Sequence, residues 1–124
     1  FPADPHVLDG AVMLIETSEM LPSASEVGWI LRAMGERGLL AAVDAVLVAR
    51  PPASSLEDRR DAPARARFRA EQRDAVVETV GRYNPEAVIC VGVPFGHTRP
   101  QWIVPHGGTM TLDGASHRIT ASYA

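Results

Sequence analysis

Three short runs of unbroken apolar residues constrain this chain more than any other feature. They are Ala11-Val12-Met13-Leu14-Ile15, the stretch inside Asp44 to Arg50, and Ala87-Val88-Ile89-Cys90-Val91. None shows the polar alternation of a strand with one wet face. Residues 11–16, 44–50 and 87–92 therefore read as strands buried on both faces. The segments between them carry helical signals. Ser23-Ala24-Ser25-Glu26 has capping-box spacing and starts a helix. Val27, Ile30, Leu31 and Met34 form its apolar stripe, and Gly38 stops it. Pro51-Pro52 closes the second strand, and residues 51–62 form a polar loop. A second helix runs from Pro63 to Val80, with proline tolerated in its first turn, until Gly81 and Asn84-Pro85 break it. Gln101 to Val104 is short and extended. Gly108 to Leu112 and His117 to Ser122 flank Asp113-Gly114, a hairpin signal. The order is β-α-β-α-β-β-β-β. It predicts an α/β fold with a mixed sheet and a C-terminal β-hairpin layer covering one side.

With 124 residues, 46% of them apolar, the chain is one domain with a real core. A net charge of −3 gives no electrostatic case for nucleic acid. All twelve basic residues other than histidine are arginines. A Schiff-base lysine, a P-loop lysine and a lysine general base are thereby excluded. The single cysteine, Cys90, lies in an apolar run, so no disulfide forms within the chain and a buried structural thiol is expected. No run approaches the ~18 apolar residues of a spanning helix and no signal-peptide pattern opens the chain, so no membrane partner and a cytoplasmic location are expected. The first residue is Phe1, which reads as processing or as a piece of something longer.

Chemistry in open α/β sheets gathers at the carboxyl ends of strands. Glu16 ends the first apolar run there. His97 sits just after the third, in Pro94-Phe95-Gly96-His97-Thr98. Gly96 lets backbone approach closely, and Pro94 and Pro100 stiffen the loop. Together they suggest a base and the group that orients it. The plainer reading makes Glu16 a surface carboxylate. Glu19 reads as a solvated turn acid. No serine opens a helix after a strand as Gly-x-Ser, so the pair is two thirds of a triad. His6, His106 and His117 show no metal-ligand spacing; neither a metal nor a cofactor is expected. Gly107-Gly108 does not precede a helix and is a weak phosphate cradle. Arg65, Arg67, Arg69 and Arg73, beside Glu71, Asp74 and Glu78, read as a solvated, salt-bridged helix face, with an anionic-ligand site as the alternative.

Two longer stretches carry a resemblance. Glu16-Thr17-Ser18-Glu19 with the later Trp29-Ile30-Leu31-Arg32-Ala33-Met34-Gly35-Glu36-Arg37-Gly38-Leu39-Leu40 is the first. Gly92-Val93-Pro94-Phe95-Gly96-His97-Thr98-Arg99-Pro100-Gln101, with Ile103-Val104-Pro105-His106-Gly107 after it, is the second. Over roughly residues 8–123 the chain resembles the C-terminal domain of the LD-carboxypeptidase family of serine peptidases. The Gly-Glu-Arg-Gly-Leu-Leu form and the Arg-rich helix resemble the branch that contains the microcin C self-immunity peptidases.

The resemblance implies a swivelling β/β/α layered domain and a Ser-Glu-His triad split between two domains. Glu16 and His97 match its glutamate and histidine, and Glu19 matches the second acid of the motif. The serine and oxyanion hole belong to an N-terminal, Rossmann-like domain outside this chain. The implied substrates are muropeptides or peptidyl- and aminoacyl-nucleotides, and the implied partner is the chain's own N-terminal domain; the patch left exposed where that domain would dock is expected to self-associate, as a homodimer. The chain alone should be inactive. Glu16 and His97 should lie within hydrogen-bond reach, and Trp29, Phe95 and Trp102 should border an exposed docking patch. A non-enzymatic interaction domain using the 94–102 loop is the rival reading.

Overall fold

The computed structural model describes residues 3–123. Three strands, β1 (Val12–Ile15), β2 (Ala45–Ala49) and β3 (Val88–Val93), form a parallel sheet in the order β1-β2-β3. Val12 pairs with Ala45 and Leu14 with Leu47; Ala45 pairs with Val88 and Leu47 with Cys90. Helix α1 (Ala24–Glu36) and helix α3 (Ala62–Tyr83) are the crossovers. Two right-handed crossovers stepping the same way along a sheet leave their helices on one face. The side chains follow that partition with the period of two that a pleated strand imposes. Val46 and Val48, with Met13, Ile15, Ile89 and Val91, pack against Val27, Leu31, Met34, Val76 and Val80 of the helices. Leu47, Ala49, Val12, Leu14 and Cys90 face the other way.

That second face is covered by an antiparallel hairpin, β4 (Thr109–Asp113) and β5 (Arg118–Ser122), through Met110, Leu112 and Ile119. The molecule is thus three layers, with helices, parallel sheet and hairpin stacked in that order. The parallel and antiparallel strands form two separate sheets and do not share a mixed one. The hairpin loop is longer than an Asp-Gly turn. Gly114 to His117 connect the strands, and the Asp113 carboxylate accepts from the Ala115 and Ser116 N–H groups at 3.0 and 3.1 Å. An Asx-type turn replaces the two-residue one.

Helix α1 opens on the expected capping box. The Ser23 Oγ accepts from the Glu26 N–H at 3.2 Å, and the Glu26 carboxylate accepts from the Ser23 N–H at 2.7 Å. Three of its four stripe residues are buried; Ile30 is exposed. Gly38, at φ +77°, ends the helix in the left-handed region. A single further turn, α2 (Leu39–Ala42), then plugs Leu39 and Leu40 into the core. Helix α3 is longer than its sequence signals suggest. It runs through Gly81 to Tyr83, and the Asp61 carboxylate caps its start by accepting from the Ala64 N–H at 2.8 Å. Asn84 ends it and donates from Nδ2 to the Leu40 and Val43 carbonyls at 2.9 and 2.8 Å. Gln101 to Val104 joins no ladder. Among the described residues no helix is long and apolar enough to cross a membrane.

Candidate active site

Glu16 is the first residue after β1 and His97 the fourth after β3, so both stand at the carboxyl edge of the parallel sheet. Strand β2 lies between β1 and β3, and the two side chains must meet over its end. The backbone of the 92–97 segment makes this possible. The β2–β3 register slips between Val48 and Ala49, so Gly92, at φ +77°, is the extra residue of a bulge. Bulges bend a strand and re-aim the chain beyond them. The Phe95 N–H then donates to the Val93 carbonyl at 2.9 Å, and the Phe95 ring is buried at 5% exposure against Leu47, Ala49 and Val93. Phe95 thus anchors the loop from inside and does not border an exposed patch.

Gly96 comes next at φ +77°, a conformation that side chains disfavour. A Cβ there would also overlap the Glu16 carboxylate. The glycine therefore serves two needs, the turn and the close approach. Beyond it, His97 Nδ1 lies 3.3 Å from Glu16 Oε2, and His97 Nε2 lies 3.5 Å from Glu19 Oε2. The imidazole stands between two carboxylates. The His97 and Glu16 side chains are 47% and 45% exposed, so a bound molecule or domain could reach them.

Two groups outside the predicted site residues brace the loop. Gln101 Nε2 donates to the Gly96 carbonyl. Arg50, the first residue after β2, donates from its backbone N–H to the Val93 carbonyl at 2.8 Å and from Nη2 to the Arg99 carbonyl at 2.8 Å. Arg50 occupies the same topological position as Glu16, and the strand-end rule applied to all three strands finds it. Its side chain ties the end of the central strand to the loop that carries His97.

An open groove of about 890 Å³ runs from Glu16 and His97 along β1 to α1, with Ile15, Ile30, Met34 and His106 among its walls. Its lining is mainly apolar. Trp29 is 68% exposed, as its place off the apolar stripe predicts, but it lies in a different depression, between α1 and α3. Trp102 is half exposed beside the hairpin. Cys90 is partly buried, and burial pushes its thiol above the ordinary value. It is protonated at neutral pH, as a structural thiol would be.

The profile of one protein family, described as the LD-carboxypeptidase C-terminal domain, matches residues 1–112. The fold is similar to that of a MccF-like protein from Streptococcus pneumoniae, solved in complex with AMP. The two superpose with a TM-score of 0.73 at 23% identity, over 99% of this chain and 31% of that one. The chain thus spans under a third of the length of this structural relative. No curated protein sequence matches it.

Proposed function

Because the chain belongs to the LD-carboxypeptidase C-terminal domain family, we propose that Glu16 and His97 are two members of a Ser-Glu-His triad in a hydrolase. The serine stands on another domain of the full-length protein. The observation that supports this reading is the 3.3 Å approach of His97 Nδ1 to the Glu16 carboxylate at the carboxyl edge of the sheet. A serine hydroxyl is a weak nucleophile at neutral pH and needs an adjacent base. Neutral His97 takes the hydroxyl proton through Nε2 as the serine attacks the scissile carbonyl, then returns it to the leaving amine. Glu16 accepts from Nδ1–H, which fixes the tautomer and stabilises the imidazolium.

In this assignment Glu19 is not the triad acid. It stands 3.5 Å from Nε2, the nitrogen that faces the nucleophile, and must give way when the serine arrives. The bond cleaved is an amide in a muropeptide or in a peptidyl- or aminoacyl-nucleotide. The partner domain closes over the groove and brings the serine and the oxyanion donors, neither of which the seven serines of this chain supply in a nucleophile-elbow pattern. The test is a serine-directed fluorophosphonate probe. It should label the full-length protein and fail to label this chain, and labelling should fall in full-length His97→Ala. Full-length protein that stays unlabelled yet hydrolyses an LD-tetrapeptide or an aminoacyl-sulfamoyl adenylate would overturn a serine mechanism.

A further inference from the structure

The run Ala11 to Ile15 has the composition of an interior strand but stands at an edge. Strand β2 is buried along its whole length, whereas all four residues of β1 are only half-buried. The sheet order gives β1 a neighbour on one side, β2, and no strand on the other. The ladder fixes which backbone groups that exposes. The Val88 N–H donates to the Asp44 carbonyl and the Arg50 N–H to the Val93 carbonyl, so Val46 and Val48 between them serve β3. Ala45, Leu47 and Ala49 then serve β1, and in a parallel ladder each bonds the two residues that flank its register partner. With Val12 opposite Ala45 and Leu14 opposite Leu47, those flanking residues are Ala11, Met13 and Ile15. Val12 and Leu14 therefore turn their N–H and C=O groups outward, and among the described residues none of these groups takes a partner.

A free edge of this kind is normally protected by a charge, a proline, a bulge or a covering segment. The other edge strand, β3, has its bulge at Gly92. Within its four residues β1 has no charge, proline or bulge. Instead an open groove lies on each side of it. The groove of about 890 Å³ on the helix side is walled by Met13, Ile15, Ile30 and Met34. A second, of about 590 Å³ on the hairpin side, is walled by Val12, Pro105, Gly108 and Met110. Leu8, Leu14 and His106 border both. Ile30 belongs to the apolar stripe of α1 yet stays exposed, because among the described residues nothing fills that part of the groove.

We propose that a fourth strand completes the sheet at β1, an extended apolar segment of about four residues, the length of β1, contributed by the remainder of the full-length polypeptide. An extended segment meets both demands at once. Its backbone pairs with Val12 and Leu14, and its side chains, alternating with a period of two, enter the two grooves in turn. A helix would fill one groove and leave the backbone groups of β1 unpaired. A second copy of this chain fits poorly. Its own β1 lies between α1 and the 105–108 segment in the same way, so neither edge reaches the other. A transient ligand would leave an apolar edge open to aggregation between visits. A tethered segment is always present at high effective concentration. The length is there to supply it, since the matched region is only 31% of the structural relative. The added strand runs toward Glu16, the residue that follows β1, and so ties the rest of the protein to the edge where His97 stands.

The test is residue-resolved hydrogen exchange on the full-length protein without substrate. The Val12 and Leu14 amides should exchange within about tenfold of the rates of Met13 and Ile15, whose N–H groups bond β2. A benzophenone photo-crosslinking side chain placed at Ile30, on the groove wall, identifies the occupant. It should join, within one molecule, to a peptide from outside these 124 residues. Alternation in the full-length protein, with Val12 and Leu14 fast and Met13 and Ile15 slow, would overturn the added strand. Protection that disappears on dilution, or crosslinks that join only two molecules, would overturn it in favour of a second copy. Protection that appears only when substrate is added would overturn it in favour of a ligand. Neither measurement reads turnover, so the triad can fail while the fourth strand stands, and the reverse.

Discussion

Gly96 bears two constraints that no other residue type meets together. Its φ of +77° lies in the left-handed region, and a Cβ would overlap the Glu16 carboxylate. Gly96→Ala must move the loop or push Glu16 away from His97, although it removes no chemical group. Holding a non-glycine residue in that region costs about 1–3 kcal/mol. The expected outcome is a lowered melting temperature together with a large loss of turnover in the full-length enzyme, read by calorimetry and by kcat. His97→Ala and Glu16→Gln should each lower kcat by several powers of ten, with roughly 10³ as a lower bound for the histidine, and leave KM little changed. Glu19→Gln separates the two acids. If Glu16 is the orienting carboxylate, Glu19→Gln retains most activity, whereas equal loss in both variants reassigns the role. Glu16 and His97 were legible in the sequence because each comes after a buried apolar run, where the backbone turns out of the sheet. Phe95 was misread for a physical reason. An aromatic residue between proline and glycine looks exposed in sequence, but the tight turn over Pro94, closed by the Phe95 N–H on the Val93 carbonyl, leaves its ring packed with Leu47, Ala49 and Val93.

Local chemistry marked the element starts more clearly than the ends. The Ser23–Glu26 capping box named the start of α1 because two side chains and two N–H groups satisfy each other there. Ser23→Ala should cost about 1 kcal/mol by denaturant unfolding. The hydrogen bond from the Ser23 N–H, then that from its hydroxyl, holds the Glu26 carboxyl below its ordinary value of 4.5. A depressed folded pKa contributes stability that is present above the unfolded pKa and is lost as pH falls through the folded one. The stability gap between the parent chain and Glu26→Gln should therefore be full at neutral pH and close as pH drops below 4.5. A gap that persists undiminished at pH 2, roughly two units below the ordinary carboxyl range, would show that the bond acts without the charge. The end of α3 was harder to read. Gly81 has open space around it, and a helical glycine costs only about 1 kcal/mol, which the packing of Val76 and Val80 outweighs. The helix stops instead where Asn84 turns its amide to the Leu40 and Val43 carbonyls. Asn84→Ala should destabilise by about 1–3 kcal/mol, because those part-buried acceptors lose their donor. Neither α2 nor the loss of a strand at Gln101 to Val104 was legible, since both depend on contacts made by distant segments.

At the scale of the whole molecule, the layering explains why folding and chemistry separate. Both faces of the parallel sheet are covered from within the chain, by α1 and α3 on one side and by the β4–β5 hairpin on the other. The core therefore closes without help, and local signals and tertiary packing agree on one compact structure. The carboxyl edge is different. Glu16 and His97 stand nearly half exposed there, beside an open apolar groove, and no serine of the chain stands in a nucleophile-elbow pattern. A base and an orienting acid without a positioned hydroxyl and oxyanion donors have no reaction to assist. The isolated chain should then unfold cooperatively in denaturant, yet turn over neither an LD-tetrapeptide nor an aminoacyl-sulfamoyl adenylate, while the full-length protein turns over at least one of them. Adding the separately expressed remainder of the protein should restore part of that activity in a concentration-dependent way. Interfaces between domains of one chain bury on the order of 600–1,500 Å², enough for weak association in trans. His97→Ala in the added chain should abolish the restored activity. If the remainder alone turns over substrate at the full-length rate, this domain serves to bind or to stabilise, and the split triad is wrong.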